Sequence, residues 1–247
     1  MWIVPDWPAP ANIKAVSTTR SGGISEGPYL GLNLGAHVGD KSEHVEHNRD
    51  WLQQQLGLDV APVWLNQTHS TRVISLPQAE LSPAQASSPD ADGSMTEQPG
   101  IACTVMTADC LPVLLCDRAG RQVAAVHAGW RGLADGILEE AVAQFHVKGR
   151  EILAWMGPAI GASAFEVGGE VREQFMAQHA DAAEAFQPYG DKWLADLYLL
   201  ARQRLAQVGV EHVFGGDLCT FSDPARFYSY RRDGITGRQA TLIWIES

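Results

Sequence analysis

The sequence of 247 residues lacks the segments that direct a chain into or across a membrane. Its first 16 residues contain prolines and an aspartate, whereas a secretory peptide needs a basic start and an unbroken apolar stretch. Nowhere does an apolar run approach the roughly 18 to 20 residues of a membrane helix. Four cysteines are too few for a disulfide scaffold in a chain of this length. We therefore expect a cytoplasmic protein with no membrane partner, whose cysteines serve as thiols or metal ligands.

Positive charge is also scarce, with 18 lysines and arginines against 29 acidic residues and a formal net charge of -11. A chain this acidic repels a phosphate backbone, and no basic stripe or Cys-His finger spacing offsets the repulsion. These features argue against a nucleic-acid partner. A small anion bound in a local basic pocket remains compatible with them.

Several catalytic signatures are missing as well. The sequence has no GxxxxGK(S/T) phosphate loop and no G-x-G-x-x-G after a strand pattern, which argues against a nucleoside triphosphatase and a Rossmann dehydrogenase. The combination of H-x-E with P-C-x-x-C that marks nucleobase deaminases is absent. So is the G-x-S-x-G turn of the α/β-hydrolases.

The pattern of apolar residues predicts one α+β domain over residues 1–247. Predicted strands cover residues 13–17, 63–65, 73–74, 101–106, 111–116, 123–126, 152–156, 210–214 and 240–245. Predicted helices cover residues 40–57, 133–145 and 193–205, with one more around 171–175. Asp40 and Glu43 have the spacing of a capping box, and Gly57 suits a left-handed helix end. Residues 82–93 form a predicted loop. Since strands and helices do not alternate strictly, the sheet should be mixed.

Three residues near the ends of predicted strands are candidates for chemistry. Cys110 lies at the mouth of a buried strand beside Asp109, and His127 ends an apolar run just before an Ala-Gly pair, where a cleft can open. His69 stands in the polar string NQTHS. None of their spacings is a short-range metal signature. An isolated cysteine is more often a small hydrophobe, and an isolated histidine more often a hydrogen-bonded structural group.

Together the three residues suit a metal ion. Zinc takes imidazole and thiolate ligands, and three protein ligands with one open position are typical of a catalytic site. Copper accepts the same ligands, so the set leaves the metal open. Without a metal, Cys110 as a thiolate nucleophile and His127 as its base would hydrolyse an amide. A structural zinc would need a fourth protein ligand, and none is evident.

Two arginines are candidates for binding anions. Arg20 precedes a Gly-Gly pair, and Arg231 follows an aromatic run. Guanidinium groups bind carboxylates and phosphates through two parallel hydrogen bonds, although most arginines only make a surface soluble. Asp90 and Asp92 lie in the predicted loop, where turn formation and catalysis are equally compatible with them.

Longer strings resemble the YfiH, or laccase-domain, family, in order from the first predicted strand to the last. The strings are RSGG from Arg20, LNLG from Leu32, HVGD from His37, NQTH ending at His69, ADG from Ala91, TADCLPV around Cys110, AVHAGWRG around His127, GPAIG from Gly157, FEVG from Phe165 and SYRRD from Ser229. They are most similar to bacterial members also described as peptidoglycan editing factors.

The resemblance implies a metal site, a set of activities and a fold. Members bind a metal, usually assigned as zinc, through positions that fall on His69, Cys110 and His127. Their activities include phosphorolysis of adenosine, inosine, guanosine and methylthioadenosine, together with adenosine deamination. Other members are described as copper-dependent polyphenol oxidases, or as correcting peptidoglycan precursors. The fold is a mixed α/β sandwich related to toxin cysteine hydrolases.

These observations lead to the hypothesis of a zinc-dependent purine nucleoside phosphorylase with adenosine deaminase activity, acting on purine nucleosides and phosphate. The expected catalytic residues are Cys110, His127 and Asp109, and the expected substrate-binding residues are Arg20, Asn33 and Arg231. One alternative is a hydrolase that edits peptidoglycan precursors with Cys110 and His127. The other is a copper-dependent polyphenol oxidase, although eight histidines are few for a multicopper site. The oligomeric state stays open.

Overall fold

Twelve strands and six α-helices make up the regular structure of residues 2–77 and 88–246, the part of the chain that the computed structural model describes. The strands are β1 (Ile13–Ser17), β2 (Val73–Leu76), β3 (Gly93–Thr96), β4 (Ala102–Thr107), β5 (Leu111–Asp117), β6 (Val123–Ala128), β7 (Ile152–Met156), β8 (Glu166–Val167), β9 (Phe186–Tyr189), β10 (Lys192–Ala195), β11 (His212–Gly215) and β12 (Gln239–Ile245). The helices are α1 (Ser42–Leu56), α2 (Trp130–Asp135), α3 (Ile137–Ala143), α4 (Gly169–Gln178), α5 (Leu197–Gln207) and α6 (Tyr230–Asp233). Short 3-10 helices cover Gly27–Tyr29, Gly149–Glu151 and Ala180–Ala185.

A mixed sheet in the order β11-β7-β5-β6-β3-β2 forms the central layer. The antiparallel sheet β1-β12-β4 packs against one face of it, and β8-β10-β9 forms a smaller third sheet. Helices α2, α3 and α5 cover the opposite face of the central sheet, while α1 packs on the outer side of β1-β12-β4. This arrangement confirms the expected mixed α/β sandwich.

Alternating side chains of the central strands explain these layers. In β5, Val113 and Leu115 face the helices, whereas Leu114 and Cys116 face the second sheet. All four side chains are 0% exposed. Because successive residues of a strand point to opposite faces, a strand buried on both sides has an almost continuous apolar sequence. That pattern is what predicted β5, β6 and β7.

Two predicted elements at the amino-terminal side differ from the structure. Residues 63–65 do not form a strand; Leu65 is buried in the core between the two sheets without pairing in a ladder. Helix α1 begins at Ser42 without a side-chain cap, because the carboxylate of Asp40 instead accepts from Ser25 Oγ at 2.6 Å and from Asn33 Nδ2 at 2.9 Å. Gly57 ends α1 in the left-handed region with φ 64°, as predicted.

Two predicted helices also have different limits. The helix predicted over 133–145 is two helices, since Gly136 has φ 102° and separates α2 from α3. Trp193 lies in β10, and α5 starts only after Asp196, whose carboxylate accepts from Leu199 N at 3.0 Å. Residues 82–87 of the predicted loop lie outside the described residues. Within the described ranges, no helix is long and apolar enough to span a bilayer.

Candidate metal centre

Strand pairing brings Cys110 and His127 to the same end of the central sheet. β5 starts at Leu111 and runs antiparallel to β6, with Leu111 opposite Ala128 and Pro112 opposite His127. Cys110 therefore precedes β5 at the edge where β6 ends. The hydrogen-bonded ladder between the two strands fixes the separation of the two side chains.

A loop from a different part of the chain supplies His69. The amide of Gln67 holds this loop against β4: its Nε2 donates to the Met106 carbonyl oxygen at 2.8 Å, and Met106 N donates to Gln67 Oε1 at 2.8 Å. β4 pairs with β12 on its other edge, so the glutamine side chain occupies the place of a missing neighbouring strand. His69 has φ 62°, a left-handed conformation that is uncommon outside glycine.

The three side chains converge on one point. One ligand atom each from His69, Cys110 and His127 lie within 4.8 Å of one another. Cys110 Sγ is 3.8 Å from His69 Nε2, and the two imidazole rings meet edge to face with centroids 4.9 Å apart. His127 is buried, Cys110 is half-buried and His69 is exposed. The cluster therefore opens to solvent on the His69 side.

Asp92, which is fully buried, binds both histidine segments. Its Oδ1 accepts from His69 N at 3.0 Å and from His127 Nδ1 at 2.8 Å. Its Oδ2 accepts from Thr68 N at 3.1 Å and from the N–H and hydroxyl of Ser70, both at 2.7 Å. Because a carboxylate only accepts, Nδ1 of His127 carries a proton, and in the neutral ring Nε2 is then the nitrogen that can bind a metal.

Electrostatics favour the charged forms of Asp92 and Cys110. Burial alone would raise the pKa of Asp92, but hydrogen bonds from His127 and Ser70 hold that pKa far below its usual range. Burial also opposes ionisation of Cys110, yet the adjacent His127 and His69 lower the thiol pKa overall. Burial would lower the His127 pKa, but Cys110 and Asp92 raise it. Cys110 is therefore predisposed to the thiolate form, which is the form that binds metals.

The donor set and the space around it fit a metal ion. One sulfur and two ring nitrogens suit zinc or copper. Gly129, the N-cap residue of α2, leaves room beside them: a Cβ at this position would lie 2.8 Å from His69 Cδ2 and 3.2 Å from Cys110 Sγ. Its φ of -59° is open to any residue, so the space itself is what requires glycine.

Gly129→Ala should therefore lower metal affinity by at least about tenfold while the protein stays folded, because the added methyl group displaces His69. Metal content after purification and titration with zinc would measure the loss, and circular dichroism would check the fold. Gly169→Ala is the matched control, since a Cβ there meets no atom within 4 Å. Wild-type metal affinity in Gly129→Ala would contradict the proposed location of the ion.

Asp109, which precedes Cys110, also has a positive φ, 92°. Its Oδ1 accepts from Thr220 Oγ1 at 2.7 Å, and its Oδ2 accepts from Arg231 N at 2.6 Å. Both carboxylate oxygens thus hold other segments of the chain against the turn that carries Cys110. This contact is structural, and a catalytic role for Asp109 stays a prediction.

The predicted substrate-binding arginines lie at two different places. Arg231 is exposed, and its Nη1 donates to the Glu166 carbonyl oxygen at 2.8 Å. Arg20 lies 4.7 Å from the ring centroid of Tyr228, and its Nη1 donates to the Pro224 carbonyl oxygen at 3.2 Å. It lines a surface cavity of about 790 Å³ that none of the three candidate ligands lines.

Asn33, the third predicted substrate-binding residue, is fully buried. Its Nδ2 donates to Asp40 Oδ2 at 2.9 Å and to the Gly35 carbonyl oxygen at 3.3 Å. Its Oδ1 accepts from Gly35 N and from Arg238 N, at 3.0 and 2.8 Å. These bonds make Asn33 a connector between two loops, and substrate binding by its amide stays a prediction.

Sequence reasoning missed Gln67, identified Gly129 only as a place where a cleft can open, and left Asp92 undecided. Gln67 stands two residues before His69 in the string NQTHS, and Gly129 stands two residues after His127. Proximity in sequence to a candidate ligand was the available signal for both. Nothing in the spacing indicates that Asp92 bonds to both histidine segments.

Comparison with known proteins assigns the chain to a family. A family model described as "Multi-copper polyphenol oxidoreductase laccase" matches residues 14–246. A Shigella flexneri protein named "Purine nucleoside phosphorylase YfiH" is 57% identical over 243 residues, 98% of each chain. An Escherichia coli protein of the same name is 56% identical over 243 residues, again 98% of each chain.

Solved structures agree with this assignment. The crystal structure of a Neisseria meningitidis protein superposes with a TM-score of 0.93 at 52% sequence identity, covering 100% of this chain and 99% of that chain. That of a Bacillus licheniformis protein titled YfiH superposes with a TM-score of 0.87 at 30% identity, covering 95% and 93%. The chain belongs to the YfiH, or laccase-domain, family.

Proposed function

We propose that this chain is a zinc-dependent purine nucleoside phosphorylase that also deaminates adenosine. Relatives named purine nucleoside phosphorylase, up to 57% identical over nearly the whole chain, support the phosphorylase activity. The observation that carries the proposal is the convergence of His69, Cys110 and His127 within 4.8 Å, open to solvent on one side. This geometry suits a catalytic metal with an open position.

The chain's own residues prepare the site in three ways. Asp92 keeps the proton on Nδ1 of His127 and so fixes the tautomer and ring orientation. Cys110 contributes negative charge as a thiolate. His69 lies on the open side, where a substrate approaches. When bound, the metal would supply Lewis-acid polarisation of an oxygen atom.

Phosphorolysis sets a further requirement. A phosphate oxygen bonds to the ribose C1′ while the bond from C1′ to the purine N9 breaks, and the base leaves with a proton. Phosphate must therefore be held against the ribose by cationic or N–H donors. The sequence indicates Arg20 and Arg231 as candidates for this role.

Release of hypoxanthine from inosine tests the proposal. The wild-type protein should release hypoxanthine only when phosphate is present, and removal of the metal should abolish the release. With adenosine as substrate, formation of adenine reports phosphorolysis and formation of inosine reports deamination. Absence of any product above background from wild-type protein with its metal would refute the nucleoside function.

One observation favours a second candidate, a cysteine-dependent amide hydrolase, for which only the family resemblance suggests peptidoglycan precursors as substrates. Cys110, His127 and Asp92 follow the order nucleophile, base and orienting carboxylate. The thiolate would bond to an amide carbonyl carbon, the C–N bond would break, and His127 would protonate the departing amine. Water would then hydrolyse the thioester. Metal analysis separates the candidates, because a stoichiometric metal lost in Cys110→Ala argues against a free nucleophile.

The description of the matching family raises copper oxidation as a third candidate. The described residues hold the single His-Cys-His group, which could bind one copper ion but not a cluster of them. We expect oxidase activity with added copper to reflect occupancy by the wrong ion. Free cysteines and a thiolate ligand fit a reducing compartment, and we propose that the enzyme acts in the cytoplasm.

A further inference from the structure

Arg238 lies next to the turn that carries Cys110. β12 starts at Gln239, which pairs with Thr107, the last residue of β4, in an antiparallel ladder. The residue before Gln239 therefore runs beside the residues that follow Thr107, which lead through Asp109 to Cys110. The register of the second sheet thus brings an arginine to the edge of the candidate metal centre.

Neighbouring backbone fixes where the Arg238 side chain can go. Its own N–H donates to Asn33 Oδ1 at 2.8 Å. A Cβ at Gly35 would lie 2.7 Å from Arg238 Cγ, so the absence of a side chain at this position leaves room for the arginine stem. Nη1 of Arg238 donates to the carbonyl oxygens of Thr236 and Gly237, at 3.1 and 3.0 Å. The guanidinium is therefore held in place before any ligand binds.

In the part of the chain that the structure describes, the charge of Arg238 has no carboxylate partner. Arg204, Arg226 and Arg232 each form an ion pair with a carboxylate. Among the described residues, no carboxylate oxygen lies within 4.0 Å of the guanidinium of Arg238, and its Nε and Nη2 have no protein acceptor. Burial lowers the Arg238 pKa, and the charges of Cys110 and Asp109 only partly oppose that effect. A partly buried guanidinium in this state is suited to an anion from outside the chain.

His37 and Thr236 are two further polar residues near Arg238. Burial and the charges of Arg238 and Arg49 lower the pKa of His37, which also experiences the charge of His127. Thr236, only 2% exposed, has a buried hydroxyl with no hydrogen-bond partner among the described residues.

We propose that Arg238 binds the phosphate that attacks the nucleoside, with its free guanidinium edge as the main contact. The assignment rests on the proposed phosphorylase function for the identity of the anion. It differs from the expectation for Arg231, whose Nη1 is engaged with the Glu166 carbonyl oxygen, and for Arg20, which lines a separate cavity. Planar guanidinium groups bind tetrahedral oxyanions through paired, charge-assisted hydrogen bonds.

Steady-state kinetics of Arg238→Gln test the assignment. We expect the KM for phosphate to rise about tenfold or more, because one charged donor pair is lost, while the KM for inosine changes less than about threefold. Arg238→Lys should bind phosphate more tightly than Arg238→Gln but less tightly than wild type, since lysine keeps the positive charge but lacks the paired N–H donors of a guanidinium. Arg150→Gln is the matched control: Arg150 is 71% exposed and precedes β7 at the end of the central sheet away from Cys110. An equal rise of both KM values in Arg238→Gln, or an unchanged KM for phosphate, would overturn the assignment.

Thermal unfolding in phosphate tests the same assignment without relying on turnover. Inorganic phosphate should raise the Tm of wild-type protein relative to chloride at equal ionic strength, and the increase should be lost in Arg238→Gln. If wild-type protein shows this increase in Tm but releases no hypoxanthine, the phosphorylase function is refuted and the anion site is still supported. An equal increase in both proteins, or none in wild type, would overturn the anion site. If Arg238→Gln does not fold, the test uses Arg238→Lys, for which phosphate should raise the Tm less than it does for wild type.

Discussion

Cys110→Ala is expected to remove the metal and to lower kcat/KM for phosphorolysis by more than about 100-fold, a loss beyond that usual for groups that only orient ligands. Alanine leaves two imidazoles, one of them exposed, and removes the only anionic member of the group. Both the affinity for a divalent ion and its geometry depend on that thiolate. Metal analysis and inosine kinetics measure the two losses together.

Cys219→Ala provides the control for thiol chemistry. Cys219 is also partly exposed, and although burial opposes ionisation, hydrogen bonds from Ser222 and Gly161 lower its thiol pKa overall. Removal of another thiol with a lowered pKa, which is not a member of the three-residue group, should leave metal content and activity near wild-type values. If Cys219→Ala and Cys110→Ala lose activity alike, the metal centre is not the cause. If Cys110→Ala loses activity but wild-type protein holds no metal, the result supports the hypothesis that Cys110 is a nucleophile.

The strands that carry the site could be predicted because a strand buried on both faces has a nearly continuous apolar sequence. β5, β6 and β7 have nearly continuous apolar sequences, and their predicted limits agree with the structure to within two residues. The position of Cys110 and His127 at strand ends followed from the same pattern. That the two ends meet depends on antiparallel register, which no local pattern specifies.

Long-range contacts set the limit of sequence reasoning. Gln67 and Met106 are 39 positions apart, and Asp92 and His127 are 35 apart, so neither contact has a local signal. Spacing alone left His69 as a polar loop residue, and family resemblance selected it as a ligand. Gly136 shows a related limit: apolar residues keep helical spacing across it, but its φ of 102° divides the helix.

Asp92→Asn is expected to lower activity and metal affinity by about 10- to 100-fold. An amide retains one acceptor oxygen, whereas the carboxylate accepts from the N–H groups of Thr68, His69 and Ser70 and from Nδ1 of His127. The amide NH2 must then face a donor, either a backbone N–H or the imidazole. If it displaces the Nδ1 proton of His127, the proton moves to Nε2 and blocks the lone pair for the metal. Asp90→Asn is the control, since the one side-chain hydrogen bond of exposed Asp90 among the described residues comes from the Asn66 amide, and the variant should behave like wild type.

Stability of the metal-free protein distinguishes this orienting role from a purely catalytic one. Asp92→Asn should lower the free energy of unfolding by about 1–3 kcal/mol at pH 7, because buried N–H donors lose their acceptor. The folded-state pKa of Asp92 lies far below its usual value, so its ionisation stabilises the fold above roughly pH 4, and that contribution declines as the pH falls further. The difference between wild type and Asp92→Asn in urea unfolding should therefore shrink from pH 7 to pH 3. A difference independent of pH would mean that the Asp92 charge does not hold the two histidine segments together.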